Sequence, residues 1–166
     1  MLAAIGAPGA SAAAAVQTAH LTVRVGISDT TAAPGHRLAI SADVTPKPGM
    51  HLYAPGKHDY QVVTLTLDPQ PWLVVHDTVY PASEIYHFKP LDERVEVFSR
   101  PFRLRRDVTL SATPEGQKLL GSLTNVTITG TLEYQACDDK VCYNPTRVPF
   151  SLPVTVKALD RKPAGP

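Results

Sequence analysis

The sequence predicts an all-β protein in which short antiparallel strands form a sandwich, and three observations lead to that fold class. Apolar residues recur at every second position in several short segments, which is the period of strands with one buried and one solvent-facing side. The 16 prolines and 10 glycines of the 166 residues are spread among those segments as turn signals. No segment carries a convincing helical period, so we expect strands to follow one another along the chain.

Five segments show the alternation most clearly. Their apolar positions are Leu21, Val23, Val25 and Ile27; Leu38, Ile40, Ala42 and Val44; Val63, Leu65 and Leu67; Val126, Ile128, Gly130, Leu132 and Tyr134; and Val148, Phe150, Leu152, Val154 and Val156. Turn signals separate the segments, at residues 33–35, 47–49, 55–56, 68–69 and 113–116. We expect eight or nine strands in two sheets packed face to face, which makes a single-domain, immunoglobulin-like β-sandwich the simplest architecture.

The best helical candidate runs from Glu115 to Leu120. It contains Gly116 and is too short to be stable alone, so we expect no helix there. Trp72 is expected in the core. An exposed strand face is predicted for a loose alternation of arginines, which are Arg94, Arg100, Arg103, Arg105 and Arg106.

We place the folded domain at residues 20–158, because the two ends of the chain differ from it in composition. Residues 1–19 are rich in small residues, and residues 11–15 offer cleavage patterns typical of a secretory signal. The positively charged start of such a signal is missing, so a flexible leader or a mis-called start codon is the alternative. We leave residues 1–19 out of the predicted fold and expect residues 159–166 to form a flexible tail.

Composition excludes several functional classes. The charges nearly balance, with 16 basic and 15 acidic residues, which leaves no basic face suited to nucleic acid. No run approaches the ~18 consecutive apolar residues of a membrane-spanning helix, so we predict no transmembrane segment. The length allows one domain with its own core, and we expect a monomer.

Cys137 and Cys142 are the only cysteines, and they lie five positions apart. A bond closing so small a ring would stabilise the fold by only about 2 kcal/mol in the chain-entropy model. The strand pattern leads into Cys137 through Tyr134 and resumes at Val148, which places the pair on either side of a four-residue loop between antiparallel strands. Cross-strand Cβ atoms near a hairpin end are ≈ 4.5–5.5 Å apart, close enough for a disulfide.

Three interpretations of this pair compete. It is a structural staple on a hairpin, a metal site completed by some of the six histidines, or a reversible dithiol that exchanges electrons with a partner protein. The staple would contribute little stability and the usual CxxC or HxxxH ligand pairs are missing, so the sequence favours exchange and no metal. Between the cysteines, Asp138 and Asp139 disfavour a nearby thiolate and Lys140 favours it, which predicts an unactivated thiol that a docking partner activates.

The segment around the cysteines resembles the active-site hairpin of the N-terminal domain of the DsbD thiol:disulfide interchange family. The matching motifs are Tyr134-Gln-Ala-Cys137 and, after a short acidic loop, Cys142-Tyr-Asn-Pro145. Upstream, residues 77–86 resemble that family's cap loop and the strand leaving it, and residues 49–53 resemble a tyrosine-rich strand beside the cysteines. The resemblance runs from about residue 20 to residue 158.

The resemblance implies an immunoglobulin-fold domain of the bacterial periplasm, which receives electrons from a transmembrane thiol relay and passes them to thioredoxin-like proteins. It implies no dissociable cofactor, because the disulfide itself is the redox centre. The family pattern suggests Cys142 as the attacking cysteine. By position, the resemblance assigns the exchanging pair to Cys137 and Cys142, the cap loop to Asp77, Val79 and Tyr80, and the site wall to His51 and Tyr53.

The chain departs from the best-known family members in three respects at the site. Those members have one more residue between their cysteines, an aromatic residue where Val79 stands and an acid where Thr78 stands. We therefore expect a tighter ring and a looser shield, unless Tyr80 supplies the shielding. Family members also carry a membrane domain and a thioredoxin-like domain. Because we expect a single domain here, we expect the thiol relay to be a separate protein.

Two assignments near the pair stay open, and so does the function of the whole chain. Tyr134 and Tyr143 flank the cysteines and either stack over them or pack as ordinary strand residues. His51 either mediates proton transfer or is a solvated histidine in a turn. The alternative function is a sandwich-fold module that binds another protein or a carbohydrate, whose small disulfide merely pins a loop.

Overall fold

The computed structural model describes residues 11–158, which form fourteen β-strands, one 3₁₀-helix and one α-helix. In chain order the strands are β1 (Ser11–Ala12), β2 (Val16–Gln17), β3 (Leu21–Ile27), β4 (Thr31–Ala32), β5 (Arg37–Pro46), β6 (His51–Tyr53), β7 (Thr64–Leu67), β8 (Leu73–Val79), β9 (Glu84–Phe88), β10 (Glu93–Phe98), β11 (Phe102–Leu110), β12 (Asn125–Tyr134), β13 (Ala136–Cys137) and β14 (Thr146–Val156). The 3₁₀-helix, Lys89–Leu91, lies between β9 and β10, and helix α1, Pro114–Gly121, lies between β11 and β12.

The strands form three sheets. The large sheet has the order β1-β3-β5-β11-β8, and β2 also pairs with β3. The second sheet has the order β4-β14-β12-β7, in which β4 runs parallel to β14 and the other neighbours are antiparallel. The small sheet, with the order β13-β6-β10-β9, carries Cys137 on its edge strand.

The large and second sheets share one cluster of buried apolar side chains. Strand β3 alternates strictly, with Leu21, Val23, Val25 and Ile27 buried, and β5, β12 and β14 show the same period. Each fully buried leucine, isoleucine or valine of this core stabilises the fold by roughly 1.5–3 kcal/mol. The predicted all-β, antiparallel, immunoglobulin-like sandwich is therefore confirmed.

The described residues contain more strands than the eight or nine expected. Four of the additional strands, β1, β2, β4 and β13, have only two residues and are too short to show a period. Two of these, β1 and β2, pair along β3, so residues 11–12 and 16–17 belong to the large sheet although they precede the predicted domain. The rest of the predicted leader, residues 1–10, and the predicted tail, residues 159–166, lie outside the described residues.

Helix α1 corrects the expectation that no helix forms near Glu115. Thr113 caps its N-terminus, where Oγ1 accepts a 3.2 Å hydrogen bond from the amide of Gly116, and Pro114 occupies the first turn. Gly116 is buried against Ser111, with which an added Cβ would overlap, so here the glycine permits close packing. Capping and tertiary packing, rather than intrinsic propensity, stabilise this short helix.

Two further expectations concern single side chains. Trp72 is buried in the core. Four of the five arginines are exposed, and Arg106 is half-buried, where its guanidinium donates hydrogen bonds to the carbonyls of His76 and Leu65. No helix within residues 11–158 is both long and apolar enough to span a membrane.

Candidate thiol–disulfide site

Cys137 and Cys142 form a disulfide beyond the end of the β12–β14 hairpin, with their Cα atoms 4.1 Å apart. The β12–β14 ladder ends at Tyr134, and residues 135–145 project past it. There the two cysteines are direct antiparallel partners. Cys137 also pairs with His51, so the projecting segment joins the small sheet. The sequence places the pair correctly across a short loop but does not predict this crossing into another sheet.

Asp138 fixes the turn between the cysteines. Its Oδ1 accepts hydrogen bonds from the backbone amides of Lys140 and Val141, both at 2.8 Å, and its Oδ2 accepts one from the Tyr143 hydroxyl at 2.9 Å. The two amides, followed by the Tyr143 hydroxyl, lower the pKa of Asp138. The carboxylate thus forms the turn, a role that its charge alone does not predict.

The two halves of the disulfide differ in exposure. Cys137 is 1% exposed and belongs to the small cluster of buried side chains with Tyr53, Val95 and Val97. Cys142 is exposed and follows Val141, which is 51% exposed. A molecule in solvent can therefore approach the bond from the side of Cys142.

A cavity of about 80 Å³ lies against the disulfide. It is lined by strands β6, β9 and β10, by Tyr60 from the loop after β6 and by the turn between the cysteines. Apart from the cysteines, its lining side chains are His51, Tyr53, Tyr60, Tyr86, Phe88, Glu93, Val95, Asp138, Lys140 and Val141. Its volume is well below the ≈ 300 Å³ at which pockets begin to enclose drug-sized ligands. The lining side chains therefore pack close to the disulfide and leave no space for a drug-sized ligand.

Tyr53 is a wall residue whose hydroxyl contacts both sulfur atoms. Its hydroxyl oxygen lies 3.3 Å from Cys137 Sγ and 3.4 Å from Cys142 Sγ. Disulfide sulfurs carry no proton, so the hydroxyl is the donor in these contacts. The ring stacks on Tyr60 with a centroid distance of 4.2 Å, and the Tyr60 hydroxyl donates a 2.7 Å hydrogen bond to Glu93. Burial, with smaller contributions from neighbouring groups, raises the pKa of Tyr53 to about 12.

His51 forms the neighbouring part of the wall, with its ring 5.9 Å from that of Tyr53. It is 4% exposed, which corrects the expectation of a solvated turn histidine. Its ring lies 4.3 Å from that of Tyr86, whose hydroxyl donates a 2.8 Å hydrogen bond to Asp139. Burial lowers the pKa of His51 and outweighs the opposing effect of Asp139 and Asp138. The imidazole is therefore held mainly in its neutral form.

The residues assigned to the cap loop lie elsewhere. Asp77 and Val79 belong to β8, which pairs with β11 in the large sheet, and Val79 is 62% exposed. The Tyr80 hydroxyl donates a 3.0 Å hydrogen bond to the carbonyl of Val63. None of the three lines the cavity beside the disulfide. The covering role that the resemblance gives them stays a prediction.

The two tyrosines that flank the cysteines in sequence have different surroundings. Tyr134 is fully buried in the core, where its hydroxyl lies 2.7 Å from Thr18 Oγ1, so it packs as an ordinary strand residue. Tyr143 binds Asp138 through its hydroxyl, and its ring lies 4.6 Å from that of His20. Neither tyrosine lines the cavity.

Sequence reasoning missed Tyr60, Phe88 and Glu93 as parts of the site wall. Strand pairing within the small sheet brings β9 and β10 beside β6, and the loop after β6 carries Tyr60. For Tyr60, the sequence signal was the group of aromatic and histidine residues between positions 51 and 60. Within residues 11–158, no three histidine, cysteine, aspartate or glutamate side chains are grouped as a metal site.

Comparison with known proteins gives a consistent assignment. Residues 19–153 match the family described as thiol:disulfide interchange protein DsbD, N-terminal. No curated protein sequence matches the chain. The N-terminal periplasmic domain of ScsB from Proteus mirabilis is similar in structure, with a TM-score of 0.56 and 13% sequence identity over 89% of this chain. This chain spans about half of that one, 52% of its length.

A second solved structure, the N-terminal domain of Neisseria meningitidis DsbD in the reduced form, has a TM-score of 0.48 and 16% identity. That match covers 76% of this chain and 82% of the other. The ScsB likeness shows the fold, and the family match covers most of the sequence, including both cysteines. The chain therefore belongs to the family of DsbD N-terminal thiol:disulfide interchange domains.

Proposed function

We propose that this chain is a periplasmic thiol–disulfide exchange module, which passes electrons to or from thioredoxin-fold partners through a reversible Cys137–Cys142 pair. The observation that carries the proposal is the unequal exposure of the disulfide, whose Cys142 half is exposed while Cys137 is buried. Family membership supports thiol–disulfide interchange as the chemistry. The periplasmic origin of the similar ScsB domain supports the location.

The exchange follows ordinary thiol chemistry. In the reduced protein, the Cys142 thiolate attacks a partner disulfide and forms a mixed disulfide, and the partner's other sulfur leaves as a thiolate. The Cys137 thiolate then attacks Cys142 Sγ, which restores the internal disulfide and releases the partner's remaining thiol. Because the backbone turn holds the two Cα atoms 4.1 Å apart, the second step needs little movement.

The surroundings of Cys142 suit a thiol that reacts after docking. Among residues 11–158, no cationic side chain is hydrogen-bonded to the sulfur, and Asp139, three positions earlier in the chain, is exposed. Exposed Val141 offers an apolar contact that a docking thioredoxin-fold protein would cover, which would also exclude water from the reacting atoms. A membrane thiol relay is the proposed source of electrons.

The proposal is tested by following the wild-type pair in redox buffers and with thioredoxin. The oxidised protein is mixed with reduced thioredoxin, quenched with an alkylating reagent and analysed by mass. We expect the pair to be reduced by thioredoxin within minutes. A pair that resists thioredoxin, with a potential below about −300 mV, would instead indicate a structural staple on a binding module.

Single-cysteine variants show which sulfur meets the partner. Cys137→Ala leaves the exposed cysteine, and Cys142→Ala leaves the buried one. Each is mixed with a thioredoxin that keeps only its attacking cysteine, activated as a mixed disulfide with a coloured thiol. We expect Cys137→Ala to form the interprotein disulfide and release the coloured thiol much faster than its matched control, Cys142→Ala. Equal rates would contradict attack through Cys142.

A further inference from the structure

The exposure of the disulfide determines which sulfur must leave during exchange, and the inference below rests on the proposed function. When a thiolate bonds to Cys142 Sγ, the bond between Cys142 and Cys137 breaks. Its electron pair goes to Cys137 Sγ, which becomes a thiolate. Cys137 is 1% exposed, so water cannot solvate this new charge well, and burial disfavours a thiolate. The cavity wall must supply the missing stabilisation.

The hydroxyl of Tyr53 is placed to do this. It lies 3.3 Å from Cys137 Sγ, and among the described residues its hydrogen-bond contacts are the two sulfurs. The ring is held from the other side, because it stacks on Tyr60 with the planes only 6° apart, and the Tyr60 hydroxyl is bonded to Glu93. A donor fixed in this way needs little reorganisation when charge develops on the sulfur.

We propose that Tyr53 is a catalytic residue of the exchange reaction, whose hydroxyl donates a hydrogen bond to Cys137 Sγ as that sulfur becomes a thiolate. The incoming sulfur gains the bond to Cys142, Cys137 takes the electron pair, and the Tyr53 hydroxyl keeps its proton. Protonation of the Cys137 thiolate by water is a later and separate step.

The hydroxyl acts as a hydrogen-bond donor and does not transfer its proton. Burial raises the pKa of Tyr53 to about 12, helped by Tyr60, Glu93 and Tyr86. An ordinary thiol has a pKa of ≈ 8.5, so a proton shared between these groups stays on the tyrosine. In the reverse reaction Cys137 attacks Cys142 through the same transition state. The contact therefore assists exchange in either direction of electron flow.

The first test measures the rate at which glutathione reduces the oxidised protein, with alkylation to stop the reaction. Tyr53→Phe keeps the ring and its stack and removes only the donor. The loss of a hydrogen bond to a charged group predicts a rate about tenfold lower. The matched control is Tyr134→Phe, which removes the hydroxyl of a buried tyrosine outside the cavity and should react at nearly the wild-type rate. Equal rates for Tyr53→Phe and wild type would overturn the proposal.

The second test separates charge stabilisation from a distorted site. In the Cys142→Ala protein, the Cys137 thiol is titrated by thiolate absorbance with and without Tyr53→Phe. We expect the pKa of Cys137 to rise by about one unit or more when the hydroxyl is removed. The charged and titratable groups facing the cavity, His51, Tyr60, Tyr86, Glu93, Asp138 and Lys140, are the same in both proteins. An unchanged pKa would overturn the proposal even if the rate fell.

The outcome of these two tests does not depend on whether the proposed function is correct. Glutathione reduction and thiol titration involve no thioredoxin-fold partner. A Tyr53 effect in a protein that does not exchange with thioredoxin would contradict only the proposed function. Rapid exchange with thioredoxin that is indifferent to Tyr53→Phe, in rate and in thiol pKa, would contradict only the role of Tyr53. Circular dichroism of each variant verifies that it is folded.

Discussion

Cys137 and His51 are direct register partners of strands β13 and β6, and both side chains are buried. This pair and the adjacent Ala136–Leu52 pair attach the buried half of the disulfide to the small sheet. The imidazole stacks with Tyr86, so a largely aromatic wall lies beside the sulfur atoms. The family resemblance has a tyrosine-rich strand in this position, and histidine adds a titratable group to it.

We expect His51 to make the protein less stable in mild acid. Burial lowers the pKa of His51, so the unfolded chain binds a proton at a higher pH than the folded one. Above about pH 6.5 the residue is neutral in both states and has no effect. Below that value, down to the lowered folded pKa, protonation favours the unfolded state and the free energy of unfolding falls.

The measurement is urea unfolding on either side of pH 6.5 for wild type and His51→Tyr. The variant should lose less stability than wild type as the pH falls. His36→Gln, at an exposed histidine, serves as the control and should follow the wild-type profile. If His51→Tyr and wild type show the same pH dependence, other groups are responsible.

The sandwich should survive reduction of the disulfide. The bond closes a ring of only a few residues outside the β12–β14 ladder, so the chain-entropy model gives it about 2 kcal/mol. For a protein of this length, we expect the Tm to fall by roughly 4–8 °C on reduction. Far-UV circular dichroism should keep its β signal. Loss of that signal in the reduced protein would show that the bond is a structural requirement, which would favour the staple interpretation.

The negative charge of Asp139 should disfavour the thiolate form of Cys142 slightly. Asp139 is exposed, and an asparagine there can still accept the hydrogen bond from Tyr86. In the Cys137→Ala background, Asp139→Asn is expected to lower the pKa of Cys142 by roughly a few tenths of a unit, since exposed charges interact weakly. Asp138 is unsuitable for this test because its carboxylate forms the turn.

The test for Asp139 is the pH dependence of alkylation of Cys142. Glu115→Gln removes an exposed carboxylate on helix α1 and is the matched control for a change in net charge. The control should leave the alkylation profile unchanged. The electrostatic role of Asp139 is contradicted if its substitution shifts the profile no more than the control does.

Two glycines of helix α1 provide a matched pair for stability. Gly116→Ala places a Cβ against Ser111 and should lower the free energy of unfolding by about 1–3 kcal/mol through overpacking. At Gly121 nothing lies within 4 Å of an added Cβ. Gly121→Ala should therefore be neutral or slightly stabilising. Chemical denaturation of both variants tests this difference, and equal losses would contradict overpacking at Gly116 as the cause.

The strands of the two main sheets were predictable because two signals coincide in them. In β3, β5, β12 and β14, the period of two in the sequence matches burial on one face over seven or more residues. The small sheet gives no such signal. Strand β6 has three residues that are all buried, and β13 has only two. Helix α1 was missed because its stability comes from a Thr113 cap and from close packing at Gly116.

Some residues of the candidate site were likewise predictable from local sequence, and others were not. The cysteines and Tyr53 lie in motifs that a family resemblance identifies from local sequence. Glu93 and Tyr60 come together only because β10 pairs with β6, a long-range contact that no local pattern encodes. For Asp77 and Val79, which the resemblance assigns to a cap loop, the local motif did not predict their place in strand β8.

The segment that carries the disulfide projects past the last of ten residue pairs joining β12 and β14. Its length is consequently independent of the pairing register of the sandwich. A residue added or removed between the cysteines displaces no strand partner, whereas the same change inside either strand would turn every later side chain to the opposite face. Loop length can thus vary between related chains, and with it the geometry of the sulfur pair, without any rearrangement of the core.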